Sequence, residues 1–194
     1  SDKNPYVAGP LRRTDCSLVS DGAAAIVIAD EDTARTLKRA VAFRARRQVN
    51  DVLALSRRDP IAFEGARRAW AAALADANMK ITDLSLVESH DCFTVAELIE
   101  YEAMGLAKPG EGWKVVREGT AERGGKLPVN LSGGLKSKGH PIGATGVSMH
   151  IMAAMQVTGE APKDMQLPGA TTAGVFNMGG VSVANYVSIL ERLK

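Results

Sequence analysis

Asn130 to Gly146 reads NLSGGLKSKGHPIGATG and holds five glycines, a His-Pro pair and a Thr-Gly. Gly125 to Asn130, GKLPVN, reads as the approach to a buried strand, and Ala144 to Val157 reads as a helix. Glycines between a strand and a helix let the backbone come close to a ligand, and N–H groups at a helix N-terminus stabilise negative charge. A histidine in that turn, His140, is placed to take a proton from a thiol or an alcohol. The same residues also suit a tight strand–helix turn with a structural histidine.

Working outward, Leu84 to Ser89 is expected as a strand, His90 to Phe93 (HDCF) as a turn, and Val95 to Met104 as a helix stopped by Gly105. Ile61 to Ala77 places Ile61, Ala62, Ala66, Ala69, Trp70, Ala73, Leu74 and Ala77 on one helical stripe, with Asp59-Pro60 as its start. Ala40 to Val49, AVAFRARRQV, alternates apolar and basic residues, the period of a strand with one wet face. Residues 107 to 127, rich in glycine and charge, are expected as loop, and Val129 to Leu131 as a strand. Ala170 to Asn177 and Val181 to Leu190 read as two strands joined through Met178-Gly179-Gly180. Toward the start, residues 1 to 20 look irregular because of Pro5, Gly9 and Pro10. The run AAAIVIAD after Asp21-Gly22 fits a buried strand, and Glu31 to Lys38 a short helix. From Ala40 the order is β-α-β-α-β-α-β-β. It predicts an α/β domain with a mainly parallel sheet, made mixed by its closing hairpin.

Composition narrows the function. Hydrophobic residues at 45% and charged residues at 24% suit a globular protein with a sizeable core. A net charge of +2 gives no electrostatic case for nucleic acid, and the basic clusters at Arg44 to Arg47 and Arg57-Arg58 suit a solvated face. The two cysteines, Cys16 and Cys92, are far apart and lack metal-ligand spacing, so free thiols in a reducing compartment are expected. No apolar run approaches the roughly 18 residues of a membrane span. Met149, Met152 and Met155 on the helix after the signature read as packing, and His150 as structural or exposed.

The 130–146 string closely resembles the thiolase signature, in which Asn, two Gly, Gly-His-Pro and a final Ser/Thr-Gly recur at this spacing. Lys136 stands where most thiolases have an aliphatic residue, and Gly-Leu-Lys there points to the branch related to sterol carrier protein 2. His-Asp-Cys-Phe at 90–93 points to the same branch. The resemblance covers essentially the whole chain. It implies an α/β thiolase-like fold: the βαβαβαββ C-terminal half with a five-stranded mixed sheet, over residues 39–194. TDCSLVSDGAAAIVIA then resembles the last helix and strand of the N-terminal half, so that residues 1–38 would be the remnant of that domain.

The same resemblance assigns roles. His140 would activate a nucleophilic cysteine carried by an N-terminal half outside this chain, and Cys92 would move the α-proton. His90 would orient an oxyanion water or donate directly. Where most thiolases carry an acid/base Cys-X-Gly, this chain has Phe176-Asn177-Met178. The second oxyanion donor is therefore expected from the Met178 backbone N–H, with Gly179 as runner-up. Ser17 would contact the pantetheine arm of coenzyme A. The implied reaction is thiolysis of a 3-ketoacyl-CoA or the reverse Claisen condensation, by a cytoplasmic homodimer or tetramer. Coenzyme A and acyl-CoA would be substrates, with no metal, no organic cofactor and no nucleic acid. The chain alone would be inactive. Two other readings fit the pattern: a retro-aldolase acting on acyl-CoA side chains, and a non-catalytic lipid- or partner-binding protein on the same shell.

Overall fold

In the computed structural model, which describes residues 2–193, the centre is a four-stranded mixed sheet. Its strands are β3 (Val41–Asn50), β4 (Leu86–Glu88), β5 (Thr172–Gly179) and β6 (Ala184–Arg192), in the order β3-β6-β5-β4. β3 and β5 each run antiparallel to β6, whereas β4 runs parallel to β5. The expected fifth strand at Val129 to Leu131 is one parallel bridge, Val87 to Val129. Pro128 lacks an N–H, and Asn130 at φ +54 leaves extended geometry, so the ladder cannot lengthen.

Helices cover both faces. α2 (Glu64–Ala77) and α3 (Thr94–Ala103) pack on one, where Trp70 lies 6.2 Å from Phe176 between ring centroids. α6 (Thr145–Thr158) packs on the other, with Met149, Ala153 and Val157 buried against Leu86, Ala173 and Val175. β5 is apolar on both sides because both are covered. Met149 thus serves as core, as its sequence position suggested.

Several expectations need correction at the level of elements. α2 begins at Glu64 rather than Ile61, because Asp59 Oδ1 accepts the Ile61 N–H at 2.9 Å and Phe63 turns left-handed at φ +42. Residues 107 to 127 include a helix, α4 (Gly112–Arg117), whose first N–H is taken by Glu102 Oε1 of α3 at 2.8 Å. The glycine segment also contains a five-residue helix, α5 (Gly134–Lys138). Near the start, two short strands, β1 (Tyr6–Ala8) and β2 (Leu11–Arg12), form a hairpin.

The expected strand at AAAIVIAD is unpaired, since no strand among the described residues supplies a ladder, and Val27 is 95% exposed. Before it, the expected helix is a single 3₁₀ turn at Arg13–Asp15 followed by an extended strap. The short helix α1 (Glu31–Thr36) forms, capped by Asp30 Oδ1 on the Thr33 N–H at 2.8 Å. Ser1 and Lys194, the outer ends of the two expected domains, lie outside the described residues. No helix among those described is long and apolar enough to cross a membrane.

Candidate active site

β4, β5 and the Val129 bridge run in one direction, so three sequence motifs leave the sheet at the same end. HDCF follows β4, the signature follows Val129, and Asn177 to Gly179 closes β5. Carboxyl ends of parallel strands are where α/β sheets bind ligands. Here they enclose a cavity of about 440 Å³ lined by His90, Cys92, His140, Met178 and Gly179.

Asp91 sets the floor. Its buried carboxylate accepts the Leu135 N–H at 2.7 Å and the Lys136 N–H at 3.4 Å, satisfying the first turn of α5 across the chain. Gly134, at φ +62, lies so close to that carboxylate that a Cβ would collide with it. Asn130 ties the two motifs again, with Oδ1 accepting from the Ser89 N–H at 2.8 Å. Below, Ser132 Oγ donates to the buried Glu88 at 2.5 Å, and Lys138 Nζ lies 3.4 Å from the same carboxylate. Burial outweighs the lysine, so the Glu88 carboxyl is pushed up.

Residues 16 to 20 form a strap across the two motifs. The Ser17 N–H donates to Cys92 O at 2.8 Å, the His140 N–H to Leu18 O at 3.2 Å, and Lys136 Nζ donates to Cys16 O. The lysine that sets this signature apart therefore holds the strap. Ser17 Oγ and His140 Nδ1 share a hydrogen bond of 3.0 Å, so the strap serine stands against the signature histidine. Cys16 lies in the strap and does not line the cavity.

The rings of His90 and His140 meet edge to face, 4.9 Å between centroids. His90 Nδ1 donates to Asn177 Oδ1 at 2.5 Å. That leaves Nε2 of the neutral ring as an acceptor. Burial, then the neighbouring His140, brings His90 down to about 4, so it is neutral at physiological pH. Burial also lowers His140, opposed by the Asp91 carboxylate. Cys92 is pushed up to about 12, first by burial and then by the nearby Glu100. Asn177 and Asp91 were not singled out from the sequence. A polar residue inside the apolar run VFNMGG was the available signal for Asn177. Asp91 looked like one more turn residue.

The β5 backbone gives the last element. Thr171 O accepts from Arg192 of β6, whereas Thr172 O accepts from Ser85, just before β4. Alternation along the strand then turns the Met178 N–H to the β4 side, beyond the end of β4. Gly179 O accepts from the Val183 N–H within the hairpin, so Gly179 turns toward β6.

Residues 48–192 match the family described as thiolase C-terminal domain-like. Over 96% of its length the chain is 38% identical to an acetyl-CoA acetyltransferase of Methanothermobacter thermautotrophicus, of which it covers 49%. Over 84% it is 39% identical to sterol carrier protein 2 of Bos taurus, of which it covers 31%. The chain thus spans about half the length of the first relative and about a third of the second. A solved structure, the Ltp2-ChsH2(DUF35) aldolase, superposes with a TM-score of 0.84 over 98% of this chain and 50% of its own, at 21% identity, a likeness of fold. With the family match spanning most of its length and the sheet built as described, the chain belongs to the thiolase C-terminal domain-like family.

Proposed function

We propose that this chain is the C-terminal catalytic half of a coenzyme A-dependent thiolase, which cleaves a 3-ketoacyl-CoA with free coenzyme A or runs the reverse condensation. Residues 1–38 would belong to the strap and linker region of the N-terminal half. The observation that carries the reading is the meeting of His90, Cys92 and His140 around one cavity at the carboxyl end of one sheet.

In the cleavage direction, His140 Nε2 takes the proton of a cysteine thiol supplied from outside this chain. Nδ1–H donates to Ser17 and fixes the tautomer. The thiolate adds to the keto carbon. Charge on the resulting oxygen is met by the Met178 N–H, while a water held by His90 Nε2 faces the thioester oxygen. The carbon–carbon bond breaks, the acetyl-CoA enolate leaves, and the Cys92 thiol protonates its α-carbon. A thiol held up at about 12 is fully protonated and ready for that step. Its thiolate then takes the proton of the incoming coenzyme A, whose sulfur attacks the acyl-enzyme. The nucleophile leaves as a thiolate and recovers its proton from His140, which closes the cycle.

The test is made on the intact protein. Cys92→Ala should leave acyl transfer to the nucleophile in place and lower carbon–carbon cleavage by about 10² to 10⁴. His140→Ala should depress both half-reactions. Near-normal thiolysis by Cys92→Ala would overturn the assignment, and aldehyde release from a hydroxyacyl-CoA would move it to the aldolase reading. The 194-residue chain alone should give no thiolysis of acetoacetyl-CoA above background.

A further inference from the structure

Among the described residues, the only run of three with positive φ is Gly180, Val181 and Ser182, at +62, +55 and +60. They make one left-handed turn, closed by the Val183 N–H on Gly179 O at 3.0 Å. Glycine takes that conformation freely, whereas a β-branched valine is held there against its preference. Backbone of this kind persists only where its surroundings over-determine it, and it gathers at working sites. The turn closes β5 just beyond Met178, whose N–H is the oxyanion donor of the proposed reaction.

One side-chain amide does most of the holding. Asn185 of β6 is fully buried, and so is Ser182. Ser182 Oγ donates to Asn185 Oδ1 at 2.7 Å. Asn185 Nδ2 donates to Ser182 O at 2.9 Å and, on its other side, to Val49 O of β3 at 3.1 Å. The last left-handed residue is thus tied to the sheet through both its hydroxyl and its carbonyl. Arg58 Nη2 adds a bond to Val181 O at 2.7 Å. α2 packs against the amide so closely that a Cβ at Gly65 would collide with it, which leaves Asn185 no room to swing away. Asn185 is also the cross-strand partner of Met178. Facing residues of adjacent strands share one side of the sheet, and both of these side chains are buried there.

We propose that Asn185 is a positioning residue for the second oxyanion donor: by locking the Gly180–Ser182 turn it fixes the end of β5 and holds the Met178 N–H in place. Asn185 touches no substrate and acts only through the backbone. A preorganised donor works because it is already aimed where charge develops, and a misplacement of about 1 Å costs on the order of a hundredfold in rate. The bond is used in the transition state rather than in substrate binding, so its loss falls on kcat and not on KM. The reaction in this proposal rests on the thiolase reading, whereas the clamp itself does not.

The experiment uses the intact protein, as wild type, Asn185→Ala, and Asn185→Ala with Val181→Gly and Ser182→Gly. Thiolysis of acetoacetyl-CoA gives kcat and KM per folded molecule, and hydrogen exchange of the Val183 amide reports whether the turn stays closed. Asn185→Ala should speed that exchange by at least about tenfold. It should lower kcat by about ten- to a hundredfold with KM within about twofold of the wild type. The two glycines adopt the left-handed turn without a clamp, so they should restore most of kcat although Asn185 is still absent. A residue that merely stabilises the fold would lower Tm and the folded fraction but leave kcat per folded molecule unchanged, and that result would overturn the proposal. So would a rise in KM at constant kcat, or no recovery with the glycines. Should Asn185→Ala fail to fold, Ser182→Ala, which removes only the hydroxyl that orients the amide, decides by the same readings. A wild type without thiolysis removes the thiolase reading, and the exchange data then judge the clamp alone: faster exchange in the variant keeps it and unchanged exchange overturns it.

Discussion

His90 and Cys92 stand in one turn, and burial drives their titrations apart, the imidazole down to about 4 and the thiol up to about 12. Both shifts favour the neutral form, which suits a site where charge develops only during reaction. For His90, a base with a depressed folded pKa, the stability is present above the ordinary value of 6.5 and is lost as pH falls toward 4. His90→Gln should therefore lack an acid-limb loss of about 3 kcal/mol between those limits, read as the wild-type-minus-variant difference in urea unfolding. Glu100 runs the other way. It is fully buried, its Oε1 has no partner, and burial raises its carboxyl well above the usual range. Its neutral form stabilises the fold at low pH, and that contribution is lost as pH rises above about 4.5. Glu100→Gln should gain stability over the wild type as pH increases, and a flat difference would show the carboxyl to be ionised. His140, Cys92 and His90 were legible because each sits in a motif with fixed spacing. Glu100 and Asp91 were not, since what defines them is burial against residues far away in the chain.

At the scale of elements, periodicity carried α2, α3, α6, β3 and the closing hairpin, all long enough for a face to show. α4 and α5 escaped because their N-termini are satisfied by Glu102 and Asp91, carboxylates supplied from other elements, which local sequence does not display. The stretch around Val27 forms no ladder among the described residues. Its residues have strand preference, but a strand also needs a neighbour. The α5 arrangement makes a sharp prediction. Gly134→Ala forces a Cβ onto Asp91 in a left-handed backbone, so it should destabilise the protein by about 1–3 kcal/mol or more. Gly124→Ala, in open space, should change Tm little. Equal effects of the two substitutions would mean that the loop yields and that Asp91 is not its anchor.

For the whole molecule, Val19, Val27 and Ile28 expose apolar surface along the unpaired stretch and the strap. Scattered exposed apolar residues are ordinary, but a row of them on extended chain invites association. The chain by itself should self-associate with rising concentration in sedimentation velocity, and Val27→Lys with Ile28→Lys should reduce this without lowering Tm. The strand order has a consequence for synthesis. Among the described residues β3 pairs only with β6, and Val41 meets Arg192, so the first strand of the sheet waits for about 150 further residues to leave the ribosome. At about 5–20 residues per second that wait is on the order of ten seconds. Until then β3 is a ten-residue strand with no partner. Arginines at 44, 46 and 47 are the kind of charge that disfavours edge-to-edge pairing of such a strand, beside the ion pairs that Arg44 and Arg47 make with Glu191 and Asp76 in the finished fold.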